Sequence, residues 1–561
     1  MHTPSQGKYT GYLLWGPALI ALSLYLWSAF QSDFSRREAR EAIPVANMFQ
    51  GESIWLPKIH DNQYRTKPPL FYWSGLLSSK VLGEVSEISV RLPSVLAGTG
   101  AVFLTTLLGV WIFSPITGFM AGLITATSLQ FTYLSILGRI DMLFVFFITL
   151  AMTASWKMIH DEEARNRNLF SWLTALGLGF AFLTKGPLGL IFPLIALFLY
   201  TRIQHRPIPW KKLFLLPLAI TSLWFIEGSV KGGEEFTSMI YRESIGRITG
   251  DSSIAFHNEP FYSYFFMIAY GFLPWSLFLP VVLWQAISNH LKDPRRLYPA
   301  VVFATLFILL SLVPGKRDAY LVPVYPMASL LVAHGISHSA DKGNRPFKGW
   351  AWTWRVIMVL LAGLGFFVAL MAFNPEILSF ITNLDFVHPN DRWMAERLIE
   401  NHFPSKIFFV TAMGCLLFSA GMIYRGVKNN SVKTCWVSIL VVTLLTLLWV
   451  RGPVTRAENL YSSFKPFGEQ AHLIVGENPI TSSGEILEDL SFYLNLQFDN
   501  KSPGEAAQIL RKNPDTYLLI PEIDSKGILK ANPGFQVILE SSGGIKRKYQ
   551  LIKNIPLQSK K

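Results

Sequence analysis

At 561 residues, 51% of them hydrophobic and only 16% charged, the chain is too apolar for a soluble multidomain protein, where about a quarter of residues carry charge. Its 42 Phe, 17 Trp and 19 Tyr exclude a disordered or low-complexity polymer. A net charge of +13 would suggest nucleic acid in a soluble protein; in so apolar a chain it reads as membrane topology and attraction to anionic lipid, with no nucleic-acid partner.

In chain order, apolar runs begin near Tyr12, Leu92, Ile116, Asp141, Leu169, Pro187, Leu213, Tyr262, Pro299, Tyr320, Trp352, Ile407 and Trp436. Each is about 16 to 24 residues long, which predicts about 13 membrane helices. The first follows Lys8 and is too long for a signal-peptide core, so it is read as an uncleaved anchor. Basic residues gather in alternate connections: Arg202, Arg206, Lys211 and Lys212; Lys292, Arg295 and Arg296; Lys342, Arg345 and Lys348; Arg425, Lys428 and Lys433. These all fall on one side if the N-terminus is cytoplasmic.

The expected fold class is therefore mostly α and polytopic. Residues 1–450 form the transmembrane domain, with long outer loops at 31–91 and 227–261. Residues 451–561 turn soluble in composition, with a helix around Pro503–Asn513 and a strand over Thr516–Ile520, and are read as a small α/β domain on the outer face. Cys415 and Cys435 lie in apolar runs, so neither a disulfide framework nor a thiolate metal site is expected.

The first outer loop carries the densest chemistry. It reads Ser35-Arg36-Arg37-Glu38-Ala39-Arg40, then Trp55-Leu56-Pro57, Lys67-Pro68-Pro69-Leu70, Tyr72-Trp73 and Arg91-Leu92-Pro93. Cations beside an acid at a membrane surface can hold a phosphate through charge-assisted hydrogen bonds, while the acid orients or deprotonates an acceptor. Lys67 precedes two prolines, which stiffen the backbone that carries it. Each residue also has a plainer reading. A membrane-edge Arg or Lys is commonly an anchor, Asp141 is a good helix cap, Lys185-Gly186-Pro187 is a plausible turn, and His257 is a plausible structural hydrogen-bonder.

In order and approximate spacing, Glu38, Arg40, Trp55, Lys67-Pro68-Pro69-Leu70 and Arg91-Leu92-Pro93-Ser94 resemble the polyprenyl-phosphate-dependent GT-C glycosyltransferases. Further matches are Arg139 and Asp141, Lys185-Gly186-Pro187, Arg247 with His257, and Lys316-Arg317 with Tyr320 and Pro323. The resemblance is to the branch of lipid A aminoarabinose transferases and protein O-mannosyltransferases, over about the first 330 residues.

The resemblance implies a multi-pass protein of the bacterial inner membrane with a periplasmic C-terminal domain. Its donor would be a polyprenyl phosphate sugar, and its acceptor lipid A, a related glycolipid or a protein. Transfer would proceed by a single inverting displacement. Arg40, Lys67, Arg247 and Lys185 are then expected at the donor phosphate and Glu38 and Asp141 as catalytic carboxylates, with Arg37, Arg139, His257 and Tyr320 as further site residues. Two positions depart from the family: Arg37 stands where it has an acid, and Thr66 where the aminoarabinose enzymes have Glu. The second departure removes a metal ligand, so no cofactor is firmly implied and a divalent metal is left open. Protein O-mannosylation is the alternative reading. A lipid-linked-sugar transporter ranks below both, because the charges lie at one edge and no halves match.

Overall fold

The computed structural model describes residues 4–60, 63–64, 67–241, 259–289, 294–313, 315–341, 348–373, 406–495, 500–541 and 548–555. A chain crossing hydrocarbon must satisfy its backbone internally, and a helix lies at each of the apolar runs. Among the described residues, eight helices are long and apolar enough to cross a membrane. A pair bent by 117°, Ser263–Gly271 with Trp275–Gln285, raises the number to nine, and Pro115–Thr127, Leu188–Gln204 and Trp352–Phe367 are shorter apolar helices. The protein is thus mostly helical with many spans.

The helices that position the site are α1 (Pro4–Ala29), α2 (Arg36–Phe49), α3 (Leu70–Leu82), α4 (Glu87–Ile112), α5 (Pro115–Thr127), α6 (Leu129–Ser135), α7 (Ile140–His160), α8 (Ala164–Lys185), α9 (Leu188–Gln204) and α10 (Trp210–Tyr241). Helix starts follow their local chemistry. Ser86 accepts from the Ser89 N–H to cap α4, and Ser114 followed by Pro115 opens α5. α4 packs against α1, α5 and α7, and α7 against α8. The α7–α8 approach is close enough that a Cβ on Gly177 would lie 2.9 Å from the Ala151 nitrogen, as expected where small residues let backbones meet in a membrane.

The segment between α1 and α4 is folded. α2 buries Glu38, Ala39, Ala42, Ile43 and Val45 and leaves Arg36, Arg37 and Arg40 in solvent. A short antiparallel ribbon follows, β1 (Lys58–His60) with β2 (Gln63–Tyr64). The segment from Glu227 differs from the expected outer loop over 227–261. α10 continues through Tyr241, broken only at Gly233, whose φ of 52° suits glycine. Its Trp224 indole donates to the Trp55 carbonyl at 3.1 Å, and Leu56, Trp224, Phe236 and Met239 share one buried cluster.

Beyond the last long helix, Val432–Trp449, the chain stays helical. It passes through a π-helical turn at Val450–Val454 into Thr455–Ser462, so residue 450 marks no break in the backbone. Strands β3 (Ile480–Ser483), β4 (Asn500–Lys501), β5 (Tyr517–Pro521), β6 (Phe535–Glu540) and β7 (Tyr549–Asn554) form one sheet in the order β4-β3-β5-β7-β6. β4, β3 and β5 are parallel, while β7 and β6 join antiparallel. Alternate residues of β5 and β7 serve two cores, as the two-residue period of a strand requires. Tyr517, Leu519, Tyr549 and Leu551 pack with Phe464 and Leu490, and Leu518, Ile520 and Ile552 pack with Leu510 and Ile528.

This sheet unit docks on the segment between α1 and α4. The Tyr493 hydroxyl accepts from the Phe34 N–H at 2.7 Å and donates to Glu87 at 2.8 Å. Lys465 pairs with Glu87 at 3.0 Å, and Arg36 pairs with Glu488 at 2.5 Å. Partial burial works against the Lys465 charge, but the hydrogen bond and charge of Glu87 outweigh it and hold its pKa above the ordinary lysine value. Cysteine labelling checks the sidedness of the chain. In a Cys415→Ser background, Lys526→Cys, on an exposed helix of the sheet unit, should react with an impermeant maleimide in intact spheroplasts, and the exposed Lys211→Cys should react only after lysis. The reverse pattern would invert the proposed orientation.

Candidate functional site

α2 is fixed by one buried ion pair. Arg91, on the first turns of α4, donates from Nε to Glu38 Oε1 at 2.7 Å and from Nη2 to Oε2 at 3.0 Å. Its remaining donors reach the carbonyls of Ala29 at 2.7 Å, Ser32 at 2.5 Å and Asp33 at 2.9 Å. All five guanidinium hydrogens are thereby used. Glu38 also accepts from the Ser35 N–H at 3.1 Å, the Ser35 hydroxyl at 3.0 Å and the Gly138 N–H at 2.9 Å. Both side chains are essentially inaccessible, 0% for Arg91 and 1% for Glu38.

This geometry corrects the expectation that Glu38 is a catalytic carboxylate. Its oxygens are committed to protein donors, and its burial leaves no approach for an acceptor hydroxyl. Arg91, quoted in the motif but given no role, is its partner. Only an unusually buried arginine reveals that role, and sequence does not report burial.

Where α7 begins, a second cluster forms. Asp141, in the first turn, accepts from Lys185 Nζ at 2.7 Å through Oδ1 and pairs with Arg139 at 3.0 Å through Oδ2. Lys185 is the last residue of α8, ahead of Gly186 with φ of 80°. Its ammonium lies 4.8 Å from the centre of the Tyr320 ring and 5.0 Å from that of Phe144. Burial disfavours the Arg139 charge, yet Asp141 and then Glu41 more than offset this and raise its pKa. Four of the expected site residues, Arg139, Asp141, Lys185 and Tyr320, thus come together.

Two further carboxylates join them. Glu41, one helical turn after Glu38, accepts from the Tyr72 hydroxyl at 2.6 Å, and Asp318 accepts from Gln130 at 2.9 Å. Neither was singled out as a carboxylate of the site. The helical spacing Glu38–Glu41 was the available signal for the first. Lys316, in contrast, is buried and donates to the carbonyls of Glu259 and Val313, so it braces the chain.

Arg37 and Arg40 lie exposed on α2, and Lys67 is half-buried just ahead of α3. Arg247, His257 and Thr66 lie outside the described residues. Among the described residues, no three His, Cys, Asp or Glu side chains group closely enough to hold a metal ion.

The sequence profile of the family "Dolichyl-phosphate-mannose-protein mannosyltransferase" matches residues 36–227, from the start of α2 into α10. A Pseudomonas aeruginosa undecaprenyl phosphate-α-4-amino-4-deoxy-L-arabinose arabinosyl transferase is 29% identical over 322 residues, 55% of this chain and 56% of the relative. Its Aeromonas salmonicida counterpart is 26% identical over 351 residues, 60% of this chain and 62% of the relative. The match thus spans little more than half of either relative. The crystal structure of ArnT from Cupriavidus metallidurans bound to undecaprenyl phosphate superposes with a TM-score of 0.76 at 18% identity, over 98% of both chains. The chain has the ArnT fold. Its resemblance to the GT-C glycosyltransferases, read first from short motifs, holds in sequence and in architecture alike.

Within the ArnT fold, the Glu38–Arg91 pair makes a direct prediction. Removing one member of a buried pair strands the other charge, which costs about 3–5 kcal/mol, whereas replacing both by apolar groups is far milder. Arg91→Leu should therefore accumulate poorly and melt much earlier in detergent. Glu38→Leu/Arg91→Leu should recover part of the loss. A single variant as stable as the parent would contradict the assignment.

Proposed function

We propose that this chain is an integral-membrane glycosyltransferase. It moves a sugar from a polyprenyl phosphate donor to lipid A or a related glycolipid at the outer face of the inner membrane. The observation that carries this reading is the convergence of Arg139, Asp141, Lys185 and Tyr320 at the ends of α7 and α8, in a fold matched from end to end by ArnT. The crystallised ArnT holds undecaprenyl phosphate, and the P. aeruginosa relative is named for aminoarabinose transfer. In this reading the N-terminus is cytoplasmic, the sheet unit is periplasmic, and the chain makes about thirteen crossings.

In the proposed reaction, an acceptor oxygen attacks the anomeric carbon as the bond from that carbon to the donor phosphate oxygen breaks. Polyprenyl phosphate leaves with the electron pair, and the anomeric centre inverts. Lys67 and Lys185, with Arg40 and Arg247 by family analogy, stabilise the charge developing on the leaving phosphate. Asp141 holds Lys185 and Arg139 in place. Glu38 acts only by positioning α2. If the acceptor is a hydroxyl, its proton must pass to a carboxylate, and Glu41, on the same helix and charge-coupled to Arg139, is the candidate. A phosphate acceptor arrives already anionic and needs no base. The replacement of the family acid by Arg37 favours the phosphate.

Protein O-mannosylation remains the second reading, supported by the family profile over residues 36–227. Purified chain with labelled polyprenyl phosphate sugar should label lipid A and not protease-sensitive material; the opposite result would select the protein reading. Lys67→Ala and Lys185→Ala should stay membrane-inserted while transfer falls at least about tenfold, the scale of one lost charge-assisted contact at a developing phosphate. Full activity in both would remove the donor assignment.

A further inference from the structure

A cavity of about 320 Å³ opens at the end of the helices away from the Lys185–Asp141 cluster. Its floor is the last turns of α7, at the buried Met158 and Ile159, and one wall is the first turns of α8, at Arg167, Asn168 and Ser171. Asp141 and Lys185 stand at the other ends of these two helices, and the rise from Asn168 to Lys185 is about 25 Å. The facing wall is the link from α9 into α10, with Arg206 and Lys212. That link is ordered by its own chemistry. His205 closes α9 in the left-handed region, at φ of 50°, and the Arg206 N–H donates to the Thr201 carbonyl at 3.1 Å. Pro207 and Pro209 fix the backbone on either side of Ile208.

Among the described residues, three cations and no acid line this cavity. Lys212 is half-buried. Its Nζ donates to Asn168 Oδ1 at 2.6 Å and to Ser171 Oγ at 2.9 Å, and lies 4.6 Å from the centre of the Trp172 ring. Neither acceptor is charged, so the ammonium is oriented but not neutralised. Arg167 and Arg206 are exposed, and among the described residues their guanidiniums make no hydrogen bond or ion pair. The nearby Asp161 is engaged by Lys157 at 3.2 Å, and no ion pair joins Arg167 to Glu163 one turn before it. A cleft lined by one sign of charge focuses its field and concentrates counter-ions. The surface beside it is apolar, with Leu169, Trp172, Ile203, Trp210 and Phe214 all exposed, and tryptophans favour the level of lipid headgroups. An anion that carries hydrocarbon chains meets both surfaces at once.

We propose that this cavity binds an anionic glycerophospholipid of the leaflet facing the start of α8. The headgroup phosphate sits among Arg167, Arg206 and Lys212, and the acyl chains lie along Trp172 and Trp210. Membrane-edge anchoring accounts for the presence of these charges but not for their convergence from two separate elements on one hollow. The volume is at the small end for ligand sites, which suits a headgroup, and basic pockets between membrane helices are known lipid sites. A lipid held there braces the start of α8 against the start of α10. The site goes beyond the transferase reading and does not rest on it.

The test uses the full chain, stripped of lipid in an uncharged detergent, with affinities read by native mass spectrometry. Four ligands are titrated: phosphatidylglycerol, phosphatidylcholine, glycerol phosphate and undecaprenyl phosphate. The parent chain should bind phosphatidylglycerol saturably, and phosphatidylcholine and glycerol phosphate far more weakly. Arg167→Gln and Arg206→Gln should each weaken phosphatidylglycerol about fivefold, the scale of one cation near an anionic lipid, and leave undecaprenyl phosphate unchanged. Arg202→Gln, an exposed cation on the last turn of α9 outside the cavity, should leave phosphatidylglycerol unchanged. All three arginines are exposed, so none of the substitutions disturbs the core. Unchanged affinity in both cavity variants would overturn the proposal, as would an equal loss in Arg202→Gln, which would mean general surface attraction. Glycerol phosphate binding as tightly would make this a free-phosphate site, and phosphatidylcholine binding as tightly would make it an apolar one; either result overturns the assignment. Loss of undecaprenyl phosphate in the cavity variants would give the cavity to that lipid and overturn it as well.

Discussion

The pairing of Glu38 with Arg91 sets the geometry around which this end of the helices is arranged. A charge pair withdrawn from water persists only if its geometry is good and its remaining hydrogen-bonding capacity is met, and here both conditions hold. The carboxylate joins the cap of α2, the backbone at Gly138 and the guanidinium of α4. The guanidinium in turn gathers three carbonyls from the end of α1 and the link to α2. Three stretches far apart in the sequence, residues 29–38, Arg91 and Gly138, therefore meet at one point. The exposed face of α2, carrying Arg37 and Arg40, is aimed by that point.

From this fixed base the site divides its charges. At α7 and α8, Asp141 sits between two cations and serves as their common anchor, so its negative charge is spent on positioning. Arg451, at the end of the last long helix, lies instead against the Tyr133 ring. The rings of Tyr133 and Tyr320 each support one cation. They limit the movement of the cations without neutralising them.

Much of this was legible in the sequence, in a graded way. The helices lie where apolar runs predicted them, and Pro503–Lys512 and Tyr517–Pro521 form nearly as the turn and strand signals indicated. Arg139, Asp141, Lys185 and Tyr320, singled out from short motifs, lie together in the fold. The role of Glu38 was not legible. Its loop is rich in cations, which suggested an open charged surface, but its partners are 53 and 100 residues away. The stretch Glu227–Tyr241 looked like loop because it is charged. It is a helix because its apolar residues Phe236 and Met239 pack with Leu56 and Trp224.

The bond from the Gly138 N–H to Glu38 also bears on the order in which the chain is made. A ribosome makes α2 well before α7 exists, and domains generally form N-terminal first during synthesis. Glu38 must therefore wait through 100 residues of synthesis for this donor, and Phe34 through 459 for the Tyr493 hydroxyl. Until then neither contact can form, so the segment from Phe34 to Glu38 is completed only after the sheet unit has been made.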